Sequence, residues 1–137
     1  MTENRAITAD YEYLVDEEKG IAYLTVRGRL SIRDMENILR SLLQDDKVNT
    51  DLDTLTDFSD CTFTFQPNEM SSFFDIFNQG AERHKGRSAI VVSKPTETAI
   101  MMIHRQKVAH TRSIRVFSTR EAALGWLIPE PGDSNSK

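Results

Sequence analysis

Polar and charged side chains capable of binding or catalysis fall in three short clusters, each directly after a segment typical of a β-strand. We call this set the polar rim: Asp57, Ser59, Ser93, Lys94, Thr96, Ser118 and Arg120. Parallel strands of an open α/β sheet bind ligands beyond their carboxyl ends. Helix N-termini at the same rim favour anions, so the pattern predicts a small acidic ligand or a phosphorylated partner. The alternative is that Thr96 and Ser118 only cap helices.

Several common catalytic and metal-binding patterns are absent from the sequence. It has no Gly-rich phosphate loop, Gly-x-Ser-x-Gly elbow or Cys-x-x-Cys pair. His104 and His110 are too far apart to converge on one ion from a single helix, and His84 has no better partner. The lone Cys61 is expected to be a small, half-buried hydrophobe. We therefore predict no metal, no cofactor and no catalytic residue.

The chain has the length of one domain, 137 residues, and a mild net charge of −4. Its 21 acidic and 17 basic residues are interspersed, so the basic surface needed to bind nucleic acid is missing. No segment has the apolar length of a signal peptide or a membrane span, which predicts a cytoplasmic protein without an integral membrane segment.

Five segments are predicted to be strands. The clearest is 87–93, because the four consecutive apolar residues at its centre indicate an interior strand buried on both faces. The other four are 11–15, 21–26, 52–58 and 113–117, with the first two joined as a hairpin through a charged link that ends at Gly20. Gly28 is expected to end the second strand. Residues 61–66 fit either a loop or a short strand.

Four helices are predicted from apolar spacing and capping residues. The first begins at Ser31 with a capping box to Asp34, and the second runs from Pro67 to Gly80. The third covers residues 96–110, and the fourth follows a capping box at 118–121. The element order is β-β-α-β-α-β-α-β-α, which predicts an α/β domain with a single mixed sheet of about five strands flanked by helices.

The domain is expected to span residues 11–128. Residues 1–10 are predicted to be a flexible N-terminus, and residues 129–137 have the composition of a disordered tail.

Aromatic and methionine side chains form a second candidate site. They are Phe63, Phe65, Met70, Phe73, Phe74, Phe77, Met101 and Met102. Such a set can line a pocket for an apolar small molecule between the second and third helices. The alternative is that these side chains form an ordinary packed core.

The third helix is apolar around its whole circumference near residues 99–103, so its own sheet cannot cover every face. This predicts an interface formed by Ile100, Met101 and Ile103, most simply between two copies of the chain. A second helix of the same chain would be the alternative cover.

Several segments resemble the SpoIIAA-like family, which groups STAS (sulphate transporter and anti-sigma factor antagonist) domains with bacterial SEC14-like proteins. The segments are the hairpin, Gly28-Arg29-Leu30-Ser31, Leu55-Thr56-Asp57-Phe58-Ser59, Gly86-Arg87-Ser88-Ala89-Ile90-Val91-Val92, Val116-Phe117 and Ala122-Ala123-Leu124-Gly125-Trp126-Leu127.

The resemblance implies a non-enzymatic domain. Anti-sigma antagonist members are switched by phosphorylation of a Ser or Thr at the start of the helix after the third strand, where they bind a protein partner. Ser59 is the nearest match, but the family's compact Asp-Ser-(Ser/Ala)-Gly run is absent. SEC14-like members are associated with apolar ligands.

These observations lead to three functional hypotheses. The first is a cytoplasmic, non-catalytic regulatory domain that binds a protein partner or itself and is modulated by a ligand. The second is a SEC14-like carrier or sensor of an apolar or amphiphilic small molecule. The third is an enzyme that uses the polar rim.

Overall fold

A computed structural model describes residues 9–44, 51–82, 86–108 and 114–128. In these ranges the elements are β1 Asp10–Asp16, β2 Ile21–Leu30, α1 Ile32–Leu43, β3 Asp53–Asp57, β4 Cys61–Phe63, α2 Met70–Glu82, β5 Ser88–Val91, α3 Pro95–Val108, β6 Ile114–Phe117 and α4 Arg120–Leu127. A 3-10 turn, Pro67–Glu69, leads into α2. The two ends predicted to be flexible lie largely outside the described residues, although β1 already begins at Asp10.

The strands form one mixed sheet in the order β1-β2-β3-β5-β6, with β4 paired to the far half of β2. β1 and β2 are antiparallel, and every other described pairing is parallel. β5 lies between β3 and β6, and its Ala89, Ile90 and Val91 are fully buried. The predicted mixed α/β sheet is therefore confirmed, with six strands where about five were expected.

Gly28 does not end β2, contrary to the sequence prediction. Ile21 to Thr25 pair with β3, whereas Gly28 to Leu30 pair with β4. Gly28 has a φ of 95°, in the left-handed region that glycine adopts readily. Its N–H donates to the carbonyl of Asp60 at 3.0 Å. The glycine thus marks the point where β2 changes partner, and residues 61–63 form a short strand beyond it.

Two apolar clusters cover the two faces of the sheet. Successive residues of β5 alternate between them, since adjacent side chains of a strand point to opposite faces. One cluster receives α1, α2 and α3 through Met35, Ile38, Phe73, Ile76, Ile100 and Met101. The other receives α4 through Ala123 and Leu127. Helices therefore lie on both faces, as predicted.

The start of α1 agrees with the sequence prediction, whereas the cap of α4 and both ends of α2 differ from it. Ser31 and Asp34 form the predicted capping box, each side chain accepting the other's backbone N–H at 3.1 Å. The cap of α4 is Thr119 rather than Ser118, because Thr119 has the extended backbone and its hydroxyl oxygen accepts the N–H of Ala122 at 3.1 Å. α2 continues past Gly80 to Glu82, since tertiary packing of a helix can outweigh the weak helix propensity of one glycine.

The C-terminal end of α4 is fastened to the sheet by Arg87. The guanidinium donates to the carbonyls of Trp126 at 3.0 Å and Leu127 at 2.8 Å. It also pairs with Asp53 at 3.2 Å and lies 5.0 Å from the centre of the Trp126 ring. One side chain thereby satisfies helix carbonyls that have no partner within α4.

Replacing Gly86 by Ala is expected to destabilise the fold by about 1–3 kcal/mol, because the added methyl group overpacks a tight site. Its Cβ would lie 2.6 Å from the Leu52 carbonyl oxygen and 2.8 Å from the Asp53 nitrogen, both backbone atoms. The free energy of unfolding in urea measures the effect.

Gly125→Ala is the matched control, since a Cβ there has no neighbour within 4 Å. It lies inside α4, so a gain of up to about 1 kcal/mol is expected from helix propensity. Equal losses in the two variants would contradict the close packing at Gly86.

Candidate functional site at the carboxyl ends of the strands

The sheet register brings the three clusters of the polar rim to one edge. Asp57 of β3 pairs with Val91 of β5, and Val91 pairs with Phe117 of β6, so the three chains leave the sheet side by side. The segments that follow are linked by side-chain hydrogen bonds. Thr96 and Ser118 are exposed in the first turn of α3 and just before α4.

Asp57 is the buried centre of the rim. Its Oδ1 accepts the backbone N–H of Ser59 at 2.9 Å and also the Ser59 hydroxyl. Its Oδ2 accepts from Nη1 of Arg120 at 2.9 Å. The Arg120 guanidinium also lies 5.2 Å from the centre of the Tyr23 ring. A buried carboxylate is costly unless it is paired and hydrogen-bonded, and here it is both.

The junction between β5 and α3 binds the chain that follows β3. The Ser93 hydroxyl donates to the carbonyl of Ser59 at 3.2 Å. Lys94 Nζ donates to the Cys61 carbonyl at 3.3 Å and to Thr62 Oγ1 at 2.9 Å. These contacts fix the turn and β4 against the start of α3.

Glu97 completes this attachment, and the sequence did not single it out. Its carboxylate is only 4% exposed and accepts the backbone N–H of Phe63 at 2.9 Å. An acidic residue in the first turn of a helix normally faces solvent and complements the helix dipole. No local signal indicates that this one turns inward to a strand 34 residues earlier.

Cys61 is fully buried, deeper than the half-buried position expected from the sequence. Burial raises the pKa of its thiol from 9.0 to about 12, the negative charge of Glu97 adds to the increase, and Lys94 opposes it. The thiol is therefore neutral near pH 7, and a neutral thiol is a poor nucleophile.

A thiol reagent is expected to leave the folded protein unmodified at pH 8 and to modify Cys61 fully in denaturing urea, as absorbance of the released chromophore reports. Between pH 9.0 and about 12 the unfolded thiol ionises while the folded thiol does not, so this group should reduce stability as pH rises. Rapid labelling of the native protein at pH 8 would contradict the neutral, buried thiol.

The predicted apolar pocket residues pack against one another around Phe73, which is fully buried. The rings of Phe65 and Phe73 have centroids 4.4 Å apart, and Phe63 lies 5.1 Å from Phe65 and 5.5 Å from Phe73. Phe58, which the sequence analysis left out of this set, contacts Phe63 at 5.2 Å.

The remaining members of the set differ in position. Met101 is buried in the same core cluster. Met70 and Phe74 are partly exposed and pack against that cluster. Met102 does not belong there, because it is 41% exposed on the outer side of α3. The Phe77 side chain lies outside the described residues.

Phe73→Ala is expected to lower the free energy of unfolding by about 3–5 kcal/mol, the usual cost of removing a fully packed ring. Phe74→Ala on the same helix is the control and should cost less, since Phe74 is only partly buried. Urea unfolding compares them. A small loss for Phe73→Ala would indicate that the ring borders a cavity.

The predicted interface on α3 is partly wrong. Ile100 and Met101 are buried in the core and cannot reach a partner. Ile103 is 48% exposed, and with Ala99 and Met102 it forms an outward stripe at i, i+3 and i+4. Adjacent helical residues differ by 100°, so one run of apolar residues supplies both the core face and this outer face. We call the three exposed residues the α3 stripe.

Within the described ranges no group of three or more His, Cys, Asp or Glu residues is arranged to hold a metal ion. His84 and His110 lie outside those ranges, as does the His104 side chain. In the part of the chain that the structure describes, none of the helices is long and apolar enough to span a membrane.

Comparison with solved structures finds the same fold in proteins of low sequence identity. An uncharacterised protein with a SpoIIAA-like fold from Shewanella loihica is 16% identical, with a TM-score of 0.60 over 93% of this chain and 98% of that one. An anti-sigma factor antagonist from Mycobacterium paratuberculosis is 16% identical, with a TM-score of 0.60 over 87% and 93%. The Bacillus cell fate determinant SpoIIAA, in its phosphorylated form, is 15% identical, with a TM-score of 0.57 over 86% and 99%.

A search of curated protein sequences finds no significant match. The SpoIIAA-like family model, by contrast, matches residues 21–128, from the start of β2 to the residue after α4. This range contains the polar rim, the α3 stripe and both apolar clusters. Since the match covers most of the 137-residue chain, the protein belongs to the SpoIIAA-like family.

Proposed function

We propose that this protein is a non-catalytic regulatory domain that binds another protein through the polar rim and the adjoining α3 stripe. The observation that carries the proposal is that α3 belongs to both surfaces. At its N-terminal junction Ser93 binds the turn around Ser59, which we call the Ser59 turn, and Lys94 binds β4. The next turns of α3 present Met102 and Ile103 to solvent. A polar edge beside an exposed apolar stripe is the usual composition of a protein-binding surface.

The state of the rim's ionisable groups supports binding rather than catalysis. The Asp57 carboxylate is committed to Arg120 and the Ser59 turn, and Lys94 to two acceptors of the β4 segment. The neighbouring thiol of Cys61 is held neutral by burial. These bonds define the shape of the surface, and the Asp57 carboxylate that accepts the Ser59 hydroxyl is also bonded to the Ser59 backbone and to Arg120.

The size of the α3 stripe favours a different protein over a second copy of the chain. Two partly exposed side chains, Met102 and Ile103, supply most of its apolar area. A stable interface typically buries about 800 Å² on each partner, more than such a stripe can provide alone. A transient complex that also uses the rim is the better fit. One protein of the same fold is an anti-sigma factor antagonist, a name that describes action on another protein.

The alternative of an apolar small-molecule carrier has less support. Its proposed pocket residues Phe63, Phe65 and Phe73 contact each other at ring-centroid distances of 4.4–5.5 Å. Offset and tilted ring contacts of this length are typical of a packed aromatic core.

Ser59 is the candidate point of regulation on this surface. A kinase would transfer the γ-phosphoryl group of ATP to Ser59 Oγ, forming a P–O bond as ADP leaves and the hydroxyl proton passes to the kinase's base. The resulting dianion would lie beside Asp57 and change the charge of the rim. The short strand β4 and the turn at Pro67 separate Ser59 from α2, so no helix N-terminus directly follows it in the chain.

Ile103→Glu is expected to weaken partner binding at least about 10-fold, since 1.4 kcal/mol corresponds to that factor and burying an unpaired carboxylate costs more. Quantitative affinity purification from the protein's own host, with wild-type and variant proteins as bait, measures the change.

Leu14→Glu is the matched control, because Leu14 is an exposed aliphatic residue, 56% accessible, on the distant strand β1. Proteins retained by wild type and Leu14→Glu but depleted by Ile103→Glu would support the proposed surface. Equal depletion by both variants, or by neither, would contradict it. Gel filtration of the wild-type protein should give the mass of one chain. A dimer that Ile103→Glu abolishes would instead show that the surface binds a second copy of the chain.

A further inference from the structure

We propose that Arg120 is a positioning residue that links the Ser59 turn to α4, so that negative charge arriving at Ser59 releases the first turn of that helix. The proposal adds a regulatory device to the proposed binding surface and rests on it only in taking the Ser59 turn as the regulated element. The link between the two elements is the Asp57 carboxylate, which is bonded to both the Ser59 turn and Arg120.

Asp57 is bonded to both elements at once. Its Oδ1 accepts from the Ser59 backbone and hydroxyl, and its Oδ2 accepts from Arg120, the first residue of α4. Residues 57 and 120 are 63 positions apart, so this ion pair is a tertiary link rather than a local one. Any group that competes for the Arg120 guanidinium at the turn therefore acts on the start of α4.

The position of Arg120 is unfavourable for the helix itself. The N-terminus of a helix carries partial positive charge, and a cation in the first turn is destabilising. Asp57 and the Tyr23 ring, 5.2 Å from the guanidinium, offset this cost in the present arrangement. A residue that is unfavourable for its own helix, and whose cost is offset by distant side chains, is typical of a functional position.

The guanidinium is able to change partner. The Arg120 side chain is 43% exposed, so it can rotate towards solvent without disturbing the core. A phosphoryl or carboxylate group at residue 59 would lie beside Asp57 and repel it. Arginine binds such oxyanions through two parallel N–H groups, which makes transfer from Asp57 to the new anion favourable.

The other end of α4 would stay in place. Arg87 holds the carbonyls of Trp126 and Leu127, and Leu127 is buried against the sheet. Loss of the Arg120 contacts with Asp57 and the Tyr23 ring, which offset the cost of a cation at this position, thus loosens one end of the helix only. Because α4 is the one described helix on its face of the sheet, movement of its first turn changes the access to Tyr23 beneath it.

Hydrogen exchange with mass spectrometry tests the link without any partner. Ser59→Asp is expected to speed exchange of the amides at 122–124 at least 5-fold, with α1 unchanged and the Trp126 emission maximum unaltered. In an Arg120→Ala background the same substitution should add nothing. In an Arg120→Lys background, which keeps the charge, it should again speed exchange.

Thr64→Asp controls for a new charge, because Thr64 is also a partly buried hydroxyl residue and bonds instead to the Leu30 carbonyl. The proposal is overturned if Ser59→Asp leaves α4 exchange at the wild-type rate, if Thr64→Asp has the same effect, or if the response persists in Arg120→Ala. Urea midpoints of all variants separate local loosening from global destabilisation. The result does not depend on whether a protein partner exists, so this test and that of the proposed function fail independently.

Discussion

The carboxylates at the two ends of β3 hold α4 against the sheet. Asp53, its first residue, pairs with Arg87, which holds the C-terminal carbonyls of the helix, and Asp57, its last, pairs with Arg120 at the N-terminus. The apolar cluster beneath contains Ile21, Leu55 and Val91, all fully buried. α4 has only eight residues, too few to be stable alone, so these tertiary contacts are what make it a helix.

A second set of contacts gives the rim its shape. Three side chains at or just before the start of α3 bind the chain that follows β3. Ser93 binds the Ser59 carbonyl, and Lys94 binds Cys61 and Thr62. Glu97 binds the backbone N–H of Phe63. The β4 segment is thereby fixed on one side by α3 and on the other by the far half of β2. A surface built from polar contacts at the end of a sheet keeps one conformation when it is fully hydrogen-bonded.

The comparison with other SpoIIAA-like proteins separates what the fold provides from what this chain adds. The sheet and its helices agree with those of proteins only 15–16% identical, because apolar patterning and turn residues are enough to specify the layers. The connection after β3 contains the Ser59 turn, β4 and the 3-10 turn at Pro67–Glu69 before α2 begins. A functional assignment therefore has to come from the residues of its own rim rather than from the shared architecture.

The sequence alone determined the features that depend on neighbouring residues. The buried strand at β5, the hairpin, the capping box at Ser31 and the clustering of polar residues at one rim were all predicted from local patterns, because periodicity and capping are properties of a few consecutive residues. The order of elements then indicated one mixed sheet between helices.

Only the tertiary structure decided which side chains meet. It placed Ile100 in the core and Ile103 in solvent, turned Glu97 inward, carried β2 past Gly28 to a second partner, and joined Arg120 to Asp57. These outcomes depend on contacts between residues about 30 to 60 positions apart, whose geometry is set by how whole elements pack and leaves no mark in the local pattern.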